Sequence, residues 1–418
     1  MRILQVSHQY RPAIGGAERY ITDLSEELAR RGHRVTVYTS QSLDYRTWQS
    51  VLPALETLDG VQVHRFRGLP RTAFTWRVLS HGMHNYRRTR SAWYEPFIFY
   101  GNGPLCPGMF AATLRHARQF DVIHINNLHY AHALMAYSAA RLRGVPVLIT
   151  PHLHAEQWET HDVGYMRRIL GGSAAVLAVT GAEKRHLLDR GWNQEVIVGG
   201  NGLRLDRFPP LDRSTCRARF GLPDNGFVIL FLGRKTEYKG LDFCVDAFAA
   251  LRQSREDVYL LAVGPETAFS RSLWARYANL DGLVVRGEVS DEERLMSLAA
   301  CDVLALPSAA EAFGIVYLEA WAYCHPVIGA SIPSVSSVVA AGEDGLLVEP
   351  GQASSLARAF SYLADHPQQT REMGERGRAK LERRYTIQRI AGIFEAASLR
   401  VLRRRRTLSS AVPQERLS

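Results

Sequence analysis

Two segments of the sequence carry residues suited to a phosphorylated ligand. The first is Ala13-Ile14-Gly15-Gly16-Ala17-Glu18, a glycine pair between an apolar run and an amphipathic stretch. Glycines at a strand-to-helix junction let the backbone approach an anion closely, and the helix N-terminus adds free N–H groups and a positive dipole. The pair is not G-x-G-x-x-G, and it serves equally well as a plain tight turn. The second segment is Glu311-Ala312-Phe313-Gly314-Ile315, leading into a helix through Glu319. Amides around Gly314 can hold a diphosphate, and Glu319, eight residues after Glu311 and so about two turns on from it, can accept two hydrogen bonds from a vicinal diol such as a ribose. Taken in isolation, Glu311 as a capping acid and Glu319 as an exposed helix charge stay open. The neighbours Val316, Tyr317, Leu318, Ala320 and Trp321 are apolar, however, which predicts a buried, partnered Glu319.

Cations accompany these segments. Gly233-Arg234 closes an apolar run and Lys239-Gly240 opens the next helix. Arg234 and Lys239 together can neutralise a departing diphosphate without a metal, although each alone also reads as a solvated surface charge. Thr150-Pro151-His152-Leu153-His154 follows the run Val147 to Ile149. A side chain at that strand end faces a bound ligand, so His152 can touch a substrate hydroxyl; a satisfied loop histidine is the other reading. His152 and His154 alternate, but the spacing offers no third metal ligand. There is no D-x-D, H-E-x-x-H, G-x-S-x-G or Walker A motif, so hydrolase, P-loop and metal-dependent sugar-nucleotide readings lose support.

Positioning these residues requires strands and helices in alternation, and the sequence supplies them. Ile3 to Val6, a helix with Ala17, Ile21, Leu24 and Leu28 on one face, Gly32 at its end and Val35 to Tyr38 form a βαβ unit. Apolar runs at 61–63, 122–125, 145–149, 175–179 and 196–198 continue a doubly wound α/β domain. The proline-rich stretch 203–226 reads as a connection, after which the pattern restarts at Phe227. Runs at 227–233, 258–264, 283–286, 303–306 and 327–328 make a second such domain. Ile387, Ile390, Phe394, Ala397 and Val401 put one apolar stripe on a final helix, followed by Arg403 to Arg406. The expected domains are 1–204, 205–385, a crossover helix and basic run at 386–406, and a disordered tail at 407–418. Ligands of parallel sheets bind outside the carboxyl ends of the strands, so a cleft between the two domains is the expected active site.

The bulk properties agree with a globular chain. Its 418 residues suggest two or three domains at about 150 residues each. Hydrophobic residues are 46% and charged residues 22%, which excludes a disordered or fibrous chain. Lys plus Arg number 51 and Asp plus Glu 41, a formal charge of +10. Spread over two domains and without a basic-aromatic RNA motif, that charge does not point to nucleic acid. Five separated cysteines argue against a disulfide framework and for a reducing compartment. The start of the chain does not read as a signal peptide, and the long uncharged stretch 320–342 is broken by prolines. A cytoplasmic protein is expected.

The stretches YRPAIGGAE (10–18), ITPHLH (149–154), GGNGLRLDRF (199–208), FLGRKTEYKG (231–240), PSAAEAFGIVYLEAWAYCHPVI (307–328), GEDGLLVEPG (342–351) and MGERGRAKLERRYT (373–386) span both domains in order. In them the sequence resembles the retaining glycosyltransferases of family 4, the group 1 transferases. Its strong signature is E-A-F-G-(x4)-E with the upstream R-x4-K-G. The resemblance implies the GT-B fold: two Rossmann-like domains facing each other across a cleft, with the C-terminal helix packing back on the N-terminal one. It implies that Arg234 and Lys239 bind the donor diphosphate, and that Glu311 contacts hydroxyls of the transferred sugar. Phe313, Gly314 and Ile315 would offer backbone amides and Glu319 would bind the ribose. Gly15 and Gly16 would approach the donor phosphates or the acceptor, and His152 the sugar near its reacting carbon. The implied activity is metal-independent, retaining transfer of a hexose-type sugar from a UDP- or GDP-sugar to a hydroxyl, in polysaccharide, cell-envelope or glycolipid synthesis, with no cofactor. One departure stands out. Members often carry G-G-x-P-E after the strand at Val327-Ile328, whereas this chain has Gly329-Ala330-Ser331-Ile332-Pro333-Ser334, without the glycine pair or the acid.

The region 71–118 is rich in arginine and aromatics, with Trp76, Trp93, Tyr94, Phe97, Phe99 and Tyr100. It is expected to meet an anionic membrane surface or a lipid-linked acceptor, with Arg403 to Arg406 as a second contact at the inner face of the membrane. Cations of this kind contribute about 1 kcal/mol each on anionic lipid; a solvated basic face is the alternative. A nucleotide-sugar epimerase of the same fold is the competing enzyme class, disfavoured by the paired glutamates.

Overall fold

The structure is a computed structural model that describes residues 1–13 and 15–410. The chain divides into two compact units, one of residues 1–153, 157–202 and 387 onward, the other of 154–156 and 203–386.

The described residues of the first unit form an eight-stranded sheet. Its strands are β1 (Arg2–Ser7), β2 (Arg34–Ser40), β3 (Leu55–Leu58), β4 (Val61–Phe66), β5 (Val122–Asn126), β6 (Val147–Thr150), β7 (Ala175–Ala178) and β8 (Val196–Val198). Their spatial order is β3-β4-β2-β1-β5-β6-β7-β8, and every pairing is parallel except β3 with β4. Strands β5, β6 and β7 are buried at every residue. That is why they read as unbroken apolar runs rather than alternating ones: helices cover both faces. On one face the helix Gly16–Arg30 buries Tyr20, Ile21, Leu24 and Leu28. Beside it lies the last helix, Ile387–Ser410, whose Ile387, Ile390, Phe394, Ala397 and Val401 are all buried in the same cluster. The C-terminal helix therefore belongs to the first unit's core, as the family resemblance implies and its apolar stripe allows. Thr407 to Ser410, expected in a disordered tail, continue this helix; the rest of that tail lies outside the described residues.

The second unit carries six strands among its described residues: β9 (Phe227–Leu232), β10 (Val258–Val263), β11 (Leu283–Arg286), β12 (Val303–Leu306), β13 (Val327–Ala330) and β14 (Gly345–Val348). They run parallel in the order β11-β10-β9-β12-β13-β14. Both units are thus doubly wound, and β9 and β12 flank the point where strand order reverses, the usual ligand-binding edge of such a sheet.

Stretch 203–226 is more than a connection. It contains a helix, Arg213–Phe220, capped by the Asp212 carboxylate accepting from the Thr215 amide at 2.8 Å. The sequence hides this helix because its buried side includes Arg217, 1% exposed, whose guanidinium donates to the Ala300 carbonyl at 3.1 Å and to Asp302 at 2.7 Å. Among the described residues, no helix is long and apolar enough to cross a membrane.

Candidate functional site

In the second unit the chemistry gathers after β9 and β12. Gly233 follows β9 and Gly264 follows β10, and a Cβ added to Gly264 would lie 2.0 Å from the Gly233 carbonyl oxygen. The backbones pass too closely there for any side chain. Arg234 follows, half-buried. Its neighbour Lys235 is fully buried and turns inward, its Nζ donating to Glu266 and, at 2.7 Å, to the Arg286 carbonyl. Burial pushes its pKa down despite Glu266. Of the two lysines in this loop, Lys235 is therefore structural.

Lys239 ends a short turn, Glu237–Lys239, and Gly240 behind it adopts φ 72. A Cβ on Gly240 would sit 2.5 Å from the Pro307 carbonyl oxygen, so the β9 and β12 loops touch through a glycine. This contact brings Lys239 onto Glu311: its Nζ donates to Glu311 Oε1, which also accepts from the Ser308 hydroxyl at 3.0 Å. Burial disfavours the ammonium, but the facing carboxylate prevails, and the Lys239 pKa is raised. The charge of Arg234 opposes that of Lys239, which places the two cations in one field.

Glu311 is 6% exposed and begins the approach to the helix Ile315–Ala322. Phe313 is buried against Tyr385 in an edge-to-face contact at 5.5 Å, so its side chain serves the core. Gly314 caps the helix at φ 82, where a Cβ would strike the Tyr317 ring at 2.3 Å. Among the described residues no side chain caps this helix, which leaves its first amides available to an anion. Glu319 is 3% exposed and pairs with Arg294 at 2.8 Å; burial lowers and Glu319 raises the Arg294 pKa, with the carboxylate prevailing. The predicted burial and partnering of Glu319 hold. Arg294 carries no motif and is missed by sequence.

In the first unit the strand ends of β1, β5 and β6 converge. Gly15 precedes the helix Gly16–Arg30, and a Cβ there would lie 2.1 Å from Glu18 Oε2. Glu18 in turn lies 2.7 Å from His8 Nε2, and His8 stacks on Tyr130 at 4.0 Å. Burial raises the Glu18 carboxyl, but the bond and charge of His8 outweigh it and the pKa falls below the usual range. The glycine pair thus accommodates a buried carboxylate as well as a tight turn. His152, φ 55 and 7% exposed, places Nε2 2.8 Å from Asn126 Oδ1 and packs edge-on to Tyr20. A non-glycine residue at positive φ is strained and persists where its surroundings impose it. Here Glu183, fully buried, clamps both flanking loops: it accepts from the Leu153 amide at 2.7 Å and the Val179 amide at 2.6 Å. Burial pushes its pKa up to about 7, against those two hydrogen bonds. Sequence places Glu18 in the glycine-pair segment without giving it a role, and does not single out His8, Asn126 or Glu183. Asn126, at the carboxyl end of β5, was findable by the strand-end rule that selected His152.

The candidates therefore fall into two groups: Arg234, Lys239, Glu311, Phe313, Gly314, Ile315 and Glu319 in the second unit, Gly15, Gly16 and His152 in the first. Of the basic region, Arg71 is structural: it donates to the Tyr45 and Gly101 carbonyls at 3.0 and 2.8 Å and lies 4.2 Å from the Trp76 ring. Phe74, Trp76, Trp93 and Tyr100 are exposed on the helices Ala73–Thr89 and Glu95–Asn102 and the turn between them. Among the described residues, no three His, Cys, Asp or Glu side chains gather as a metal site.

A pair of doubly wound units, one with a Lys–Glu pair before a helix without a side-chain cap, fits the fold that the family resemblance implies. Comparison with known proteins agrees. Residues 212–380 match the family described as "Glycosyl transferases group 1" and residues 14–207 match "Glycosyltransferase Family 4". The chain is 31% identical over 404 residues to a D-inositol 3-phosphate glycosyltransferase of Kineococcus radiotolerans, covering 87% of this chain and 85% of that protein. It is 30% identical to the protein of the same name from Nocardioides sp., covering 84% and 78%. Among solved structures it resembles sucrose-phosphate synthase from Thermosynechococcus elongatus, with a TM-score of 0.72, 22% identity and 99% and 100% coverage. It also resembles Anabaena HepE in complex with UDP and glucose, with a TM-score of 0.70, 19% identity and the same coverage. At those identities the structures show the shared fold, which is GT-B. The chain belongs to the group 1, family 4 glycosyltransferases.

Proposed function

We propose that this chain is a metal-independent, retaining transferase that moves a hexose-type sugar from a UDP- or GDP-sugar to a hydroxyl acceptor. The observation that supports this best is the Lys239–Glu311 pair, seated by Ser308 and Gly240 before the uncapped helix at Gly314. Arg234, Lys239 and the amides of Phe313 to Ile315 would take the donor diphosphate, Glu319 the ribose and Glu311 the sugar hydroxyls. As the glycosidic C–O bond breaks, charge grows on the leaving phosphate, and fixed cations and amides stabilise that charge without reorganising. The leaving phosphate oxygen takes the acceptor proton while the acceptor oxygen attacks the same face, so the configuration is retained and no protein base is required. His152 and Gly15-Gly16 would contact the sugar or acceptor from the first unit.

A UDP donor is supported by the UDP bound to Anabaena HepE, and a phosphorylated polyol acceptor by the names of the relatives. Work in envelope, polysaccharide or glycolipid synthesis, at an anionic membrane surface, fits the exposed aromatics Phe74, Trp76 and Trp93 and the basic end of the last helix. The test is a thermal-shift screen of UDP-, GDP- and ADP-sugars, followed by turnover in EDTA with the product anomer read by NMR. Lys239→Ala should lose about 100-fold or more in kcat/KM. Epimerisation of the donor without transfer would establish the competing class, and a strict need for divalent metal would overturn the proposed chemistry.

A further inference from the structure

The loop after β13 has no acid of its own, and the structure supplies one from 178 residues upstream. Glu156 lies in the segment His154–Glu156, which packs with the second unit. Its Oε1 accepts both the Ser334 amide at 3.2 Å and the Ser334 hydroxyl at 2.9 Å. Ser334 is 1% exposed, so the contact is enclosed. The other oxygen, Oε2, is shielded from water and has no hydrogen-bond partner among the described residues. Two residues earlier His154 repeats the pattern: its Nδ1 is shielded and unpartnered, and the charges of Glu311 and Lys239 both act on the ring.

Buried polar atoms are ordinarily hydrogen-bonded, so two without a partner on one short segment call for an explanation. The segment carries them to the Lys239–Glu311 pair on one side and to the end of β13 on the other. We infer that the Glu156–Ser334 contact is a positioning clamp for the donor site, fixing the β13 loop and setting His154 where a nucleotide sugar supplies the partner that its Nδ1 lacks. Glu156 acts through Ser334 and through the segment that it pins, and does not itself enter the chemistry. The inference rests on the donor reading above and deepens it.

Exchanging the two residues tests the clamp. UDP, GDP and ADP are titrated into the full chain by calorimetry, and the nucleotide that binds most tightly is used for every variant. Glu156→Ser removes the carboxylate, and Ser334→Glu sets two carboxylates against each other. Each should weaken nucleotide binding about tenfold or more, as loss of one buried charged contact does. The double variant Glu156→Ser with Ser334→Glu restores an acid facing a hydroxyl and should recover to within about threefold of the wild type. Single variants that bind like the wild type, including any that merely melt earlier, overturn the clamp. So does a double variant no better than the weaker single. Lys239→Ala separates the two readings: if it binds the nucleotide unchanged, or if the wild type binds none of the three, the donor reading fails and the clamp falls with it.

Discussion

Glu183 is a buried carboxyl with no cation paired to it among the described residues, and its effect on stability has a definite sign. Its pKa is about 7 in the folded chain, against 4.5 for the free side chain. The folded state therefore holds this proton over a pH range in which the unfolded state has released it. Stability must fall as pH rises from about 4.5 to about 7, and level off above. The gap is about 2.5 units, and at 1.36 kcal/mol per unit the loss is roughly 3 kcal/mol. Glu183→Gln removes the titration. It also turns one amide donor toward another, since both carboxyl oxygens accept backbone N–H groups, at a pH-independent cost of about 1–3 kcal/mol. The variant should thus be the less stable protein at pH 5 and should gain on the wild type by about 3 kcal/mol toward pH 8.5, roughly 6–12 °C in melting temperature for a unit of this size. Thermal unfolding of both proteins across pH 4.5 to 9, read as the difference between them, isolates this one group from the other titrations. Parallel curves would refute the reasoning.

Two buried histidines act in the opposite direction. Burial pushes both His124 and His132 down to about 3. Below about pH 6.5 the unfolded chain binds protons that the folded chain refuses, so stability falls with acid; His124→Gln should flatten that limb in a pH series of melting temperatures. Gly314→Ala forces a side chain into φ 82 and against Tyr317, and should lower the second unit's stability by about 1–3 kcal/mol and weaken nucleotide binding together, read by thermal shift with and without ligand. Liposome sedimentation checks the surface reading: wild type should pellet with anionic vesicles, and Trp76→Ala with Trp93→Ala should stay in the supernatant, whereas equal recovery with and without anionic lipid removes the membrane from the account.

What the sequence reveals and what it conceals follow from range. Strands buried on both faces write themselves as apolar runs, so β9, β10 and β12 are readable without a structure. The short strand Leu55–Leu58 is not, because it is an exposed antiparallel edge with only alternate residues half-buried. β14, Gly345–Val348, is four residues long and sits beside a turn, too brief to show a period. The site divides in the same way. Lys239, Glu311 and Gly314 stand out by type and spacing, since cations and free amides are what the proposed diphosphate would need. Their pairing across 72 residues is set by the close passage of Gly240 and Pro307, a property of two backbones that leaves no local trace. Arg294 on Glu319, Glu183 under His152 and Glu156 on Ser334 are of the same kind: long-range partners that complete a residue already suspected. The missing acid after β13 illustrates the limit best. Read locally it is a defect of the loop; only the fold shows a carboxylate arriving from elsewhere, so a motif's gap is better taken as a question about the rest of the chain than as a loss of the site.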